Sequence, residues 1–83
     1  MKTTTIQAIC VWMDETSGDE AAWIISRDEI ELPKGNALTT KTLKVMDADE
    51  SEADVIAQAR KIADAEGLPL YRNDENGPAV EVV

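Results

Sequence analysis

The stretch Ser51-Glu52-Ala53-Asp54-Val55-Ile56-Ala57-Gln58-Ala59-Arg60-Lys61-Ile62-Ala63-Asp64-Ala65-Glu66-Gly67 reads as a helix with both ends marked. Val55, Ile56, Ala59, Ile62 and Ala63 recur at helical spacing on one face, and Gln58, Arg60, Lys61 and Asp64 lie off it. Asp49 or Ser51 can cap the start, and Ser51-Glu52-Ala53-Asp54 approximates a capping box. Acidic residues crowd the first turn and Arg60-Lys61 sit in the second half, as the helix dipole prefers. Gly67, backed by Pro69, is a natural stop. The spacing therefore predicts a helix over 51–66 with one apolar stripe that another element must cover.

Strand patterns lie on either side. Residues 4–13 are rich in Thr, Ile, Val and Trp, which suit a pleated surface. Ile6, Ala8, Cys10 and Trp12 alternate onto one face, and Ile9, Val11 and Met13 onto the other, as in a central strand covered on both sides. Turn formers at 14–20 lead to a second strand over 21–27, whose alternation runs on through Ile30 and Leu32 before Pro33-Lys34-Gly35-Asn36 ends it. A third strand covers 38–46, and its Thr and Lys positions indicate a wet face or a sheet edge. After the helix, 68–72 and 79–83 read as strands joined through Asn76-Gly77, a strong hairpin signal. The order β-β-β-α-β-β predicts an α+β fold, a small antiparallel-rich sheet with one helix packed on one face. At 83 residues the chain is one domain, 1–83, with a thin core.

Composition narrows the function. Seventeen acidic residues against eight basic ones give a net charge of −9, which repels nucleic acid and anionic membrane and attracts a basic protein. Cys10 is the single cysteine and sits in an apolar run, so it reads as a buried small hydrophobe. No stretch approaches the roughly 20 apolar residues that cross a bilayer, and Met1-Lys2-Thr3-Thr4-Thr5 makes a poor signal peptide, so the expected location is cytoplasmic.

Catalytic constellations are missing. The chain has no histidine, hence no Ser-His or Cys-His pair, and one cysteine cannot build a zinc site. The four glycines are scattered one per turn, so no phosphate-cradling loop forms. Asp47-Ala48-Asp49-Glu50-Ser51 begins like a calcium loop, but Glu52 stands where Gly is needed and Gln58 where the bidentate Glu is needed. We expect no enzyme activity, no cofactor and no metal.

What remains is the clustering of carboxylates. Asp47, Asp49, Glu50, Glu52 and Asp54 place five within eight residues with no intervening base, and Asp14, Glu15, Asp19 and Glu20 form a second cluster. Asp28, Glu29 and Glu31 form a third. Helix-dipole complementarity and solvation account for Glu50, Glu52 and Asp54 without any partner. The sharper reading makes the first two clusters a partner-binding surface.

In its length, its net charge and its arrangement of three strands, the 51–66 helix and the Asn76-Gly77 hairpin, the chain resembles small acidic proteins of bacteriophages and mobile elements, anti-CRISPR proteins among them. The stretch 49–83 also looks like small bacterial domains that pair an Ala-rich helix with a closing hairpin. The first resemblance implies an inhibitor occupying a nucleic-acid-binding surface on a host nuclease complex such as CRISPR-Cas, by mimicking DNA. The alternative is a structural or assembly protein that pairs strand 38–46 with its equivalent in a second copy, giving a homodimer.

Overall fold

A computed structural model describes residues 2–15, 21–73 and 78–82. The fold is α+β. Five strands form one mixed sheet: β1 (Thr4–Asp14), β2 (Ala22–Leu32), β3 (Asn36–Asp47), β4 (Leu70–Arg72) and β5 (Val80–Glu81), with the helix α1 (Glu52–Glu66) between β3 and β4. The spatial order is β3-β2-β1-β4-β5. β2 runs antiparallel to β1 and to β3, and β5 antiparallel to β4, but β4 lies parallel to β1. That parallel pair follows from α1, which leaves the end of β3, crosses the sheet and delivers the chain to the start of β4.

β1 is central, and both of its faces are covered. Ile9 and Val11 pack with Ile25, Leu70 and the helix residues Val55, Ala59 and Ala63. Ala8 and Cys10 face the other way and pack with Ile30 and Tyr71. Among the described residues no helix lies on this second side. The β2–β3 register shifts between Ile25 and Ser26 and between Glu29 and Ile30, and such bulges add twist. The β2–β3 turn thereby returns to the segment before β5, where the Ala79 N–H donates to the Gly35 carbonyl at 3.1 Å. Gly35 is buried there, with φ at +81°.

The sequence-derived boundaries need correction in three strands. The second strand runs on to Leu32, the later of the two ends its alternation allowed, because Ile30 is a core residue and the ladder with β1 continues to its end. The third is longer at both ends, 36–47 rather than 38–46. The last two shrink to three and two residues. The helix agrees at both termini. Ser51 is the N-cap, its Oγ accepting from the Asp54 N–H at 3.2 Å, and Gly67 closes the helix in the left-handed region with φ at +69°. The Asn76-Gly77 turn lies outside the described residues, although the β4–β5 pairing it would join is antiparallel.

Candidate functional site

The ends of several elements meet at one end of the sheet. β1, β3 and β4 terminate there and α1 starts there, since β3 and β4 are both parallel to β1 in the sheet and the helix returns against them. The ladder sets Asp14 opposite Ala22, and Ala22 opposite Asp47. Neighbouring strands are spaced at about 4.8 Å, which puts the Asp14 and Asp47 backbones roughly 10 Å apart. Two clusters distant in sequence thus come to slightly more than the Debye length of about 8 Å at physiological salt.

The connection from β3 to α1 is held in place. A turn closes with the Glu50 N–H donating to the Asp47 carbonyl at 3.0 Å, and the Trp23 indole donates to the Glu50 carbonyl at 3.1 Å. These contacts order the backbone carrying Asp47, Asp49 and Glu50, whose side chains are exposed. Asp54 is exposed in the first helical turn, and Glu52 is half-buried in an ion pair with Arg72. Asp47, Asp49, Glu50 and Asp54 pair with no base among the described residues. Glu15 is exposed and Asp14 half-buried, and both make further polar interactions. Asp19 and Glu20 lie outside the described residues. Partial positive charge at the helix N-terminus offsets some of the repulsion among these carboxylates.

The third acidic cluster does not exist as a surface. Asp28 is 1% exposed, on the side of the sheet away from α1, while Glu29 and Glu31 are half-buried. The cause is the alternation of Ile24, Ser26, Asp28 and Ile30, which puts all four on the same face of β2. Around Asp28 runs a polar chain that the residue types alone did not reveal. The Trp12 indole donates to Ser26 Oγ at 3.1 Å, and the Ser26 hydroxyl donates to Asp28 Oδ1 at 2.8 Å. Asp28 Oδ2 has no hydrogen-bond partner. Extending the β2 alternation through Asp28, rather than grouping it with neighbouring charges, is the signal that would have found it.

Cys10 is fully buried beside this carboxylate. Burial, then the Asp28 charge, then a hydrogen bond to Asp28 push its thiol far above the ordinary 9.0. Tyr71 is also raised above its ordinary 10.0, by burial first and then by Glu81 and Cys10. The linkage has a definite sign. Above pH 9 the unfolded thiol releases its proton while the folded thiol keeps it, so the folded state loses ground as pH rises. Urea titrations should show stability flat to about pH 8.5 and then falling by about 1.4 kcal/mol per pH unit for the thiol. Cys10→Ala should retain only the tyrosine component, which sets in at higher pH because the ordinary tyrosine value is 10.0; an unchanged onset and slope in that variant would refute the assignment.

Among the described residues, no group of three or more Cys, Asp or Glu is placed to hold a metal ion. No helix among the described residues is long and apolar enough to cross a membrane. Comparison with protein-family models, with curated proteins and with solved structures found no match.

Proposed function

We propose that this chain is a binding protein whose carboxylate-rich end docks on a basic, nucleic-acid-handling surface of a partner protein and blocks it. One observation carries the reading: the fold gathers Asp14 and Glu15 with Asp47, Asp49, Glu50, Glu52 and Asp54 at one end of the sheet. The segment 47–54 carries five carboxylates in eight residues across the end of β3, the connection and the first turn of α1, and duplex DNA carries one charge per about 1.7 Å of axis, so both present closely spaced negative charge. Lys and Arg side chains arranged for phosphates can accept such a surface. The inhibitor role and the mimicry of DNA rest on this charge geometry and on the resemblance to small acidic phage proteins. Action in the cytoplasm and without catalysis belongs to the same proposal. A second reading, self-association through β3, is favoured by the exposure of that strand along nearly its whole length.

The test is charge reversal. Glu50→Lys with Asp54→Lys should weaken binding to a basic partner retained from the native host by at least about tenfold at low salt, and should flatten the salt dependence. Duplex DNA should compete with the wild-type chain for the same partner. Unchanged affinity across the salt series, or simultaneous binding of DNA and the chain, would refute the mechanism. The cost to folding is limited to about 1 kcal/mol per lost helix-dipole interaction, which circular dichroism can check.

A further inference from the structure

We infer that β3 is a docking edge for an extended segment of a partner chain in which acidic and apolar residues alternate, taken up as a sixth strand. β3 ends the sheet, and its 12 residues are all exposed apart from the half-buried Met46. The opposite edge, β5, offers two residues. An open edge presents unpaired N–H and C=O groups, so an added strand gains affinity from main-chain hydrogen bonds and specificity from alternate side chains.

Charge identifies the occupant. The chain is at −9, yet Pro33 to Met46 holds Lys34, Lys41 and Lys44 and no acidic residue. Lys41 and Lys44 are three apart, a spacing that would normally put them on opposite faces of a strand. The bulge at Leu43 cancels that. Lys44 stands opposite Ile25 and Lys41 opposite Arg27, and both of these lie in register with residues on the α1 side of β1, Val11 and Ile9. Both ammonium groups therefore share the α1 face, and neither pairs with a carboxylate among the described residues. On the other face Val45, opposite Ile24, is 60% exposed. The two residues the bulges leave without a β2 partner, Leu38 and Leu43, are 49% and 38% exposed. An incoming strand with carboxylates on the α1 side and apolar side chains on the other satisfies both faces.

A second copy of β3 fits less well. Antiparallel pairing of two copies at maximal overlap brings four lysines to one joint with no carboxylate from Pro33 to Met46 to separate them. Edge lysines that exclude a like strand select an acidic one by the same repulsion and attraction.

The proposal rests on the open edge with Lys41 and Lys44, and β3 shares only Asp47 with the carboxylate-rich end, so its test uses other residues. A fluorescein-labelled octapeptide alternating Glu with Val should bind the full chain saturably in fluorescence anisotropy at low salt, with amide shifts concentrated in residues 36–47. Lys41→Glu with Lys44→Glu should weaken it by about tenfold or more, whereas Glu50→Lys with Asp54→Lys should change it less than about twofold. The same peptide N-methylated on alternate amides keeps its charge but cannot form the ladder, and it should not bind. Equal binding of the N-methylated peptide, or amide shifts centred outside β3, overturns strand addition. A dimer in sedimentation equilibrium that leaves the peptide unbound overturns it in favour of self-association.

Discussion

Gly35→Ala should destabilise the protein by about 2–4 kcal/mol and open its second core more than that loss alone implies. Gly35 sits at φ +81°, where a Cβ costs about 1–2 kcal/mol in an L-residue. The added Cβ would also lie 2.9 Å from the Ala79 carbonyl oxygen and 3.0 Å from Pro78 Cβ. The first of these is backbone, so the turn must lift away and give up the hydrogen bond from Ala79, a further loss of about 1 kcal/mol. At about 0.05–0.15 kcal/mol per residue an 83-residue chain has only about 4–12 kcal/mol of stability. Behind that turn lie Ala8, Cys10, Ile30 and Tyr71, with Leu32 and Ala79 at their margin. The Cys10 thiol, fully buried in the wild type, therefore reports the opening through its rate of alkylation. Gly67→Ala is the control, because Gly67 has a similar φ of +69° but a Cβ there meets nothing within 4 Å. It should cost about 1 kcal/mol and raise Cys10 labelling only as global stability falls. Equal labelling in the two variants at matched stability would show that the turn does not seal the second core.

That turn marks the limit of what the residues reveal in order. The helix was legible because its signals are local: Ser51 and Gly67 each act within four residues, and the stripe from Val55 to Ala63 needs only the 3.6 period. The central position of β1 was legible for a related reason, since a strand apolar at both parities has to be covered twice. The contact of Gly35 with Ala79 was not, because 44 residues separate them and nothing in a Pro-Lys-Gly-Asn turn says what it will touch. The parallel β1–β4 pair is non-local in the same way. Asp28 reads as part of a carboxylate cluster because the sequence groups it with Glu29 and Glu31, whereas the pleat separates it from both. In the candidate site, carboxylates within 47–54 could be grouped from sequence alone. Their approach to Asp14 depends on the register through Ala22, which only the ladder supplies.

Ile9→Ala should cost about 2–5 kcal/mol, the larger effect on the helix side of the sheet. Ile9 is fully buried and stands opposite Leu70 on one neighbour and Arg27 on the other, beneath Val55, Ala59 and Ala63. Three of the residues around it are already small or short, so little can move in to fill the space, and the cost should fall in the upper half of that range. The variant also asks whether the two cores are one cooperative unit. β1 supplies Ile9 and Val11 to one side and Ala8 and Cys10 to the other, so losing its helix-side packing should loosen both together. Where Cys10 reacts only after global opening and reclosing is fast, its labelling rate tracks the folding equilibrium, about tenfold for each 1.4 kcal/mol. A 3 kcal/mol loss in Ile9→Ala should thus speed labelling by about 100-fold, in step with the shift in urea midpoint, whereas Gly35→Ala should exceed that proportion. Labelling in Ile9→Ala that stays at the wild-type rate while the midpoint falls would mean the second side holds together without the first, and β1 would not be the element that couples them.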